Sequence, residues 1–414
     1  MATRTAVHHL GATVLQQLLS APAQFEREVQ CPCGQRARFH EIRPKRLITV
    51  VGPLTLQRPY YLCSHCHRGQ SPHDRELDVQ GTECSPGVRR MMAVVGSETS
   101  FQQGRQQLDL LAGIEVTAKS VERQAEAIGA DVAAGEQDQI GRAKQLELPE
   151  VCAAAVPWFY IEMDGTGVPM VQAETEGRAG QIEGQPAHTR EVKLGCVFTQ
   201  TTTDRTGRPV RDEDSTTYVG AVETAEQFGL RLYTEAWRRG WSRAHTKVVI
   251  GDGAVWIWNL ADQHFPGAIQ IVDLYHARQH LWELAAKLFP AHEQDRKRWI
   301  ARCLKQLDRG QIAALVKILH DLRPESAELA SLIAHQADYF VRNADRMRYP
   351  AFRAQGLFVG SGVIEAGCKT VIGSRLKRSG MFWTIRGANA IIALRCCRLS
   401  HRFENYWESR SRTA

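Results

Sequence analysis

Trp158-Phe159-Tyr160-Ile161-Glu162-Met163-Asp164-Gly165 decides how this chain is read. Its aromatic and β-branched residues give it strand composition, and it ends in an acid beside a glycine. The same combination returns at Lys247-Val248-Val249-Ile250, which closes on Gly251-Asp252-Gly253. Between the two, Val192 to Phe198 reads as a strand and Thr216 to Val219 as a shorter one. A helix with the capping-box pattern Thr224-x-x-Gln227 then runs to Gly240. After Asp252 come a helix from about Ala254 to His264 and a strand, Ile269-Gln270-Ile271-Val272, that ends at Asp273.

Three antiparallel strands followed by parallel βαβ units is the element order of an RNase H-like mixed sheet, so the expected class is α/β. From Tyr275 to about Tyr349 strand alternation disappears. Leu281, Leu284, Leu288, Trp299, Leu304, Leu315, Ile318 and Leu319 supply apolar helix faces, and the segment reads as an all-helical insertion. Gly360-Ser361-Gly362 then opens a final helical segment carrying Glu365. The expected core is thus 151–274 and 356–403, interrupted by a helical insertion at 275–355 and followed by a polar tail, 404–414.

Upstream, residues 1 to about 30 read as a helical lead-in, and 1–80 as that lead-in plus a zinc ribbon. Cys31-Pro32-Cys33 and, 29 residues on, Cys63-Ser64-His65-Cys66 flank a hairpin, Leu47 to Val51 and Leu54 to Leu56, joined by Gly52-Pro53. Two tight turns that each offer a thiolate pair can close a tetrahedral structural Zn²⁺ site. His65 or His67 is an alternative fourth ligand, and four buried free thiols are the plain reading. Residues 81–150 are expected to hold three short helices, a possible helix-turn-helix, with Ser100 and Thr117 as caps, Gly113 in a turn, and Lys119 and Arg123 on a polar face. The Gln/Glu-rich stretch 131–150 reads as a linker.

Three carboxylates stand out by position: Asp164, Asp252 and Glu365. The carboxyl ends of adjacent strands converge on one crevice in an open α/β sheet. Oxygen ligands of this kind leave open positions on Mg²⁺ or Mn²⁺, and two such ions can activate a hydroxyl and stabilise the leaving oxygen of a phosphodiester. Each acid also has an ordinary role open to it: a strand-end cap for Asp164, a turn for Asp252, a helix-dipole partner for Glu365. Glu162, on the same strand face as Asp164, is a rival ligand.

Charge adds direction. The chain carries a formal +7, but its distribution matters more than the total. Between Glu365 and Glu404 there is no acid, while Lys369, Arg375, Lys377, Arg378, Arg386, Arg395, Arg398 and Arg402 all fall there. That is the pattern of a phosphate-backbone track, with a solvated helix face as its alternative. Trp383 among these cations invites stacking on an unpaired base, although such a residue is more often core. No apolar run long enough to span a bilayer and no signal-peptide core is seen, so a cytoplasmic address is expected and no membrane partner.

Met163-Asp164-Gly165-Thr166, Gly251-Asp252-Gly253-Ala254 with Trp256 and Trp258, Asp273-Leu274-Tyr275-His276 with His280-Leu281-Trp282, and Gly360-Ser361-Gly362-Val363-Ile364-Glu365 together resemble the motifs of bacterial insertion-sequence DDE transposases of the Kra type, which are related to the Mutator-like group. The resemblance covers about 155 to 400. It implies Asp164, Asp252 and Glu365 as catalytic metal ligands for two Mg²⁺ or Mn²⁺ ions, with Asp273 and His276 near the site. It also implies double-stranded DNA partners, both transposon ends and target, and a homodimer or higher oligomer on DNA. The spacing of 88 residues between the aspartates and 113 from Asp252 to Glu365 accommodates a helical insertion. A metal-dependent structure-specific nuclease and a non-catalytic, transposase-derived DNA-binding regulator remain the alternatives, with a small-molecule hydrolase behind them.

Overall fold

A computed structural model describes residues 2–20, 25–147, 155–180 and 185–413. The chain divides into two compact units, residues 1–132 with 401–414, and residues 133–400.

In the first unit the helix Ala2–Leu19 lays Leu15 and Leu19 against a core of Leu47, Leu54, Leu56 and Val79. Strands β1 (Glu28–Gln30), β2 (Arg36–Thr49), β3 (Gly52–Cys63) and β4 (Gly69–Gln70) follow in one antiparallel sheet, ordered as in the chain. The helical lead-in therefore ends at Leu19, and 28–30 pairs as an edge strand. The β2–β3 turn needs Gly52, whose φ is +112°, a left-handed value that side-chain-bearing residues avoid.

After a short helix, Pro72–Glu76, three more follow: Pro86–Glu98 capped by Ser85, Phe101–Gln107 capped by Ser100, and Ala118–Lys144. A π-turn, Leu108–Ala112, ends at Gly113 with φ +67°. The third helix is 27 residues long rather than short, and it absorbs most of the stretch expected as a linker. Glu, Gln, Ala and Arg are strong helix formers, so polarity alone did not mark a loop there. Of the rest of that expected linker, 145–147 leave the helix in a turn and 148–150 lie outside the described residues. The polar tail is likewise a helix, Phe403–Thr413, whose Arg410 bonds Asp78 at 3.0 Å and Asp131 at 2.6 Å.

The second unit is built on a five-stranded mixed sheet. Its strands are β5 (Trp158–Pro169), β6 (Thr189–Gln200), β9 (Thr217–Ala221), β10 (Thr246–Gly251) and β11 (Ile269–Val272), ordered β11-β10-β5-β6-β9. A small hairpin, β7 (Thr202–Thr203) and β8 (Pro209–Val210), leaves the end of β6. β5, β6 and β9 are antiparallel, whereas β5, β10 and β11 are parallel.

The helix Ala225–Arg238 has both halves of the Thr224/Gln227 capping box. It sits so close to β6 that a Cβ on Gly195 would come within 2.8 Å of Leu232. After β11 the chain is helical through Leu274–Leu288, Glu293–Asp308, Ile312–His320, Ala327–Arg342 and Tyr349–Ala354. Leu281, Leu284, Leu315, Leu319 and Phe340 are buried there. The chain then returns through Gly362–Gly367, a π-turn Cys368–Gly373, Ser374–Leu376 and the buried helix Ile385–Leu399.

β5 is longer than its sequence suggests. It continues past Asp164 to Pro169 because β6 pairs with it over the whole length, Asp164 facing Leu194 and Pro169 facing Thr189. On its other side the parallel pairing with β10 stops at Glu162–Ile250. Asp164 is therefore a strand end only with respect to β10, which is the edge that opens the crevice.

Candidate active site and thiolate cluster

Asp164 and Asp252 each lie two residues beyond the last β5–β10 pair. Adjacent strands run about 4.8 Å apart, so parallel register sets the two residues side by side. The Asp164 carboxyl accepts its neighbour's amide, Gly165 N–H, at 2.7 Å, and the Cys368 thiol at 3.3 Å. Burial, with the charge of Asp252 added to it, holds that carboxyl above the ordinary aspartate value despite these donors. Burial and the adjacent Asp164 charge keep the Cys368 thiol protonated, which fits it to donate.

Glu365 sits on a helix that runs along β5. Ile364 N–H donates to Glu162 Oε2 at 2.8 Å, and Cys368, four residues later, donates to Asp164. Four helical residues rise about 6.0 Å and two strand residues about 6.6 Å, so one turn of helix matches one repeat of the strand face. Glu365 follows Ile364 and is turned about 100° around the helix from it, away from the sheet. It is exposed, in a cleft also lined by Gly360, Gly362 and Tyr275. Gly367 permits the close approach, since a Cβ there would come within 2.7 Å of the Tyr218 ring.

Two expected neighbours turn out to be anchors. Asp273 is fully buried. Its Oδ1 accepts the N–H groups of Tyr275 at 2.5 Å and His276 at 3.1 Å, capping the helix Leu274–Leu288. Its Oδ2 accepts Ser361 N–H at 2.7 Å and also the Ser361 hydroxyl. Glu162, the rival ligand by sequence, is sealed in the sheet, where burial pushes its carboxyl up to about 8. Each oxygen of Asp273 and one of Glu162 thus holds backbone, half of it the start of the Leu274–Leu288 helix and half the start of the Glu365 helix. His276 stands close enough to Asp164 to bear on its carboxyl.

The helical segment also supplies a residue that periodicity did not single out. The Tyr339 hydroxyl donates to the Asp252 carbonyl at 2.9 Å, and its ring stacks on His280 at 4.2 Å. A Cβ on Gly253, whose φ is +105°, would sit 2.5 Å from that ring. The only sequence signal for this contact was the glycine after Asp252.

The three carboxylates do not form a closed cage. Among the described residues, the group of metal-type side chains with all ligand atoms within 4.8 Å of one another is Cys31, Cys33, Cys63 and Cys66. Sulfurs of Cys31 and Cys66 are 3.5 Å apart and those of Cys33 and Cys63 3.7 Å. A tetrahedral zinc with about 2.3 Å bonds to sulfur has S···S edges of about 3.8 Å, so the four thiols can hold a structural metal such as zinc. Both knuckles are tight turns, with Gly34 N–H on the Cys31 carbonyl and His67 N–H on the Cys63 carbonyl, each at 2.9 Å. The N–H of Cys66, outweighing burial, and that of His65 draw the Cys63 thiol down to about 6. Neither His65 nor His67 belongs to the group.

No protein-family model matches this chain. It is 21% identical over 382 residues, 89% of its own length and 75% of the relative's, to the UPF0236 protein in the vanSb 3' region of Streptococcus gallolyticus. Among the described residues no helix is long and apolar enough to cross a membrane.

The basic segment after Glu365 divides into surface and core. Lys369, Lys377 and Arg386 are exposed, and Lys377 donates to Thr166 Oγ1 on β5, beside Asp164. Arg378 is half-buried and bonds the Ser374 carbonyl at 2.7 Å. Arg375, expected on the phosphate track, is fully buried with its guanidinium 4.9 Å over the Trp383 ring. Arg395 is buried too, donating to the carbonyls of Thr370 and Val371 in the π-turn. A π-turn leaves carbonyls poorly served by its own backbone, and a guanidinium fork satisfies them. Trp383 is 6% exposed, with Nε1–H on the Leu376 carbonyl at 3.0 Å and its backbone bridged to β5 at Pro169. That placement removes it as a stacking platform.

Proposed function

We propose that the chain is a DNA transposase with an RNase H-like core, which cleaves DNA and transfers strands by direct phosphoryl transfer in the cytoplasm. The observation that carries this reading is the meeting of Asp164 and Asp252 across a parallel strand pair with a helix that brings Glu365 along the same strand. Strand order β11-β10-β5-β6-β9, antiparallel on one side and parallel on the other, supports the fold assignment. So does the long helical segment between β11 and Glu365. The motif resemblance supplies the reaction class.

Asp164, Asp252 and Glu365 are the residues that would hold Mg²⁺ or Mn²⁺. Bound divalent ions would activate the attacking hydroxyl and neutralise charge on the phosphate. The chain's own contribution is to crowd like charges where a cation relieves them, since Asp164 already pays for burial and for the charge of Asp252. Cys368 and Gly165 orient one carboxylate, Tyr339 fixes the backbone of the second, and Glu162 with Asp273 fixes the helix of the third. Lys377, Lys369 and Arg386 offer phosphate contacts near Glu365, and the thiolate cluster, loaded with zinc, would shape a DNA-end-binding unit. A homodimer or higher oligomer on DNA fits a reaction that joins two ends.

The test is Mg²⁺- or Mn²⁺-dependent cleavage of a duplex made from the DNA flanking this gene, followed by transfer of the cut strand to a second duplex. Cleavage without transfer would favour a nuclease, and binding with neither would favour a regulator.

A further inference from the structure

A cleft of about 1070 Å³ opens at Glu365, walled by Arg208, Tyr275 and Arg353. Arg208 stands at the tip of the β7–β8 hairpin, which is preset: Asp204 Oδ1 accepts the N–H groups of Thr206 at 2.8 Å and Arg208 at 2.9 Å. The hairpin's root is tied down as well, because Gln200 Nε2 donates to the carbonyls of Thr202 and Gly356. Arg353 projects from the Tyr349–Ala354 helix. Both arginines are exposed. Three guanidiniums of this unit are held by partners, Arg231 by Glu223 and Glu136, Arg278 by Asp308 and Arg346 by Gln270. Neither Arg208 nor Arg353 has an ion-pair partner among the described residues.

Tyr275 adds an aromatic surface. It is 63% exposed, although large aromatics are usually covered. Its ring rests on the loop before Glu365, where a Cβ on Gly360 would come within 2.8 Å of it. The Arg278 guanidinium lies 5.8 Å from the ring centroid, and the rest of the ring is open. Two cations without ion pairs and a largely exposed ring in a cleft that ends at a carboxylate match the needs of one nucleic-acid strand, whose phosphates seek guanidinium groups and whose unstacked bases seek a ring face. A duplex keeps its bases stacked and would leave Tyr275 idle.

We propose that this cleft seats an unpaired DNA strand beside the reacting phosphodiester, with phosphates on Arg208 and Arg353 and a base on Tyr275. The inference rests on the phosphoryl-transfer reading and assigns its strand-binding groove.

The experiment is fluorescence anisotropy of a labelled oligothymidylate and of a hairpin duplex, using the full chain without added divalent metal. The variants are Arg208→Gln with Arg353→Gln, Tyr275→Ala, Tyr275→Phe, and Arg298→Gln as a surface control outside the cleft, each checked by circular dichroism. The double variant is expected to weaken oligothymidylate binding about tenfold or more and to reduce the salt slope by about 1.4, two phosphates at about 0.7 each. Tyr275→Ala should lose about fivefold or more, and Tyr275→Phe should retain affinity. Duplex binding and Arg298→Gln should change less than about twofold.

Unchanged oligothymidylate affinity in the double variant, or equal losses on strand and duplex, overturns the proposal. Metal-dependent cleavage, run in parallel, separates the two layers. Cleavage lost in Asp164→Asn but untouched in every cleft variant leaves the enzyme reading standing and removes the groove. Strand binding through the cleft in a protein that never cleaves does the reverse.

Discussion

Glu162 Oε2 accepts the backbone N–H of Ile364 at 2.8 Å, a bond between a central strand and a helix 202 residues further along the chain. Its effect is to fix the residue before Glu365 in height and direction. Replacing Glu162 with Leu would leave a buried donor unsatisfied, and we expect a loss of about 1–3 kcal/mol in urea unfolding. Glu162→Gln keeps an acceptor of the same shape and should cost less than half as much. Equal losses in the two variants would mean that the bond does not fix the helix.

Asp273 makes the companion anchor, and its chemistry is harder to replace. Its two oxygens accept from Tyr275, His276 and Ser361, so one carboxylate joins the cap of one helix to the loop before another. Asparagine has a single acceptor oxygen and must give up one side. Asp273→Asn is therefore expected to destabilise by about 1–3 kcal/mol and to slow metal-dependent cleavage, because Glu365 loses its register. A variant with wild-type urea midpoint and wild-type cleavage would show the junction to be dispensable.

Much of this architecture was legible in the sequence, for identifiable reasons. Strands β10 and β11 and the helices around them were readable because apolar runs there end at Gly251 and Asp273, and the Thr224/Gln227 cap announced its helix. The two aspartates were legible through the same strand ends. The continuation of β5 to Pro169 was not, since Gly165 and Gly167 look like a stop until β6 pairs across them. Nor was the burial of Arg375, Arg395 and Trp383: a cation bound to a ring or a backbone carbonyl has the same letter as one facing DNA. Arg208, Arg353, Tyr275 and Tyr339 were missed because they converge only in three dimensions.

The thiolate cluster gives a separate expectation. Sulfurs at 3.5 and 3.7 Å in two preformed turns are already near tetrahedral edges. Purified, reduced protein should carry about one zinc per chain. Cys63→Ser should lose it and increase amide exchange in β2 and β3, while the β5–β6 pair stays protected. Metal analysis that finds no zinc, or exchange unchanged in Cys63→Ser, would remove the metal from the first unit.

Acid stability should reflect His264. Its ring is packed against Tyr233 and Phe265, and its Nε2 is buried without a hydrogen-bond partner among the described residues. Burial lowers its pKa. The unfolded chain then takes up the proton first, so the stability linked to the neutral ring is present above about 6.5 and falls as pH drops below it. His264→Phe keeps an aromatic ring and cannot titrate. Urea midpoints measured on either side of pH 6.5 should therefore differ less in this variant than in the wild type, and identical slopes would exclude His264 as the source.

The sharpest expectation concerns the three acids together. Asp164→Asn, Asp252→Asn and Glu365→Gln preserve shape but each removes one negative charge, so each should reduce metal-dependent cleavage by about 100-fold or more while leaving DNA binding intact. Asp164 adds a check independent of activity. Burial first, and Asp252 next, raise its folded pKa. A raised carboxyl contributes stability below its unfolded pKa and loses it as pH climbs through the folded value. At neutral pH, without added divalent metal, the charged form is therefore the disfavoured one, and Asp164→Asn should unfold at an equal or higher urea concentration than the wild type. Its single acceptor oxygen keeps the Gly165 amide bond, and what it gives up is the weak thiol bond from Cys368. Added Mg²⁺ or Mn²⁺ should then stabilise the wild type and not the variant. If the variant were less stable without metal, or equally stabilised by it, Asp164 would be an ordinary structural aspartate and the site would have to be sought elsewhere.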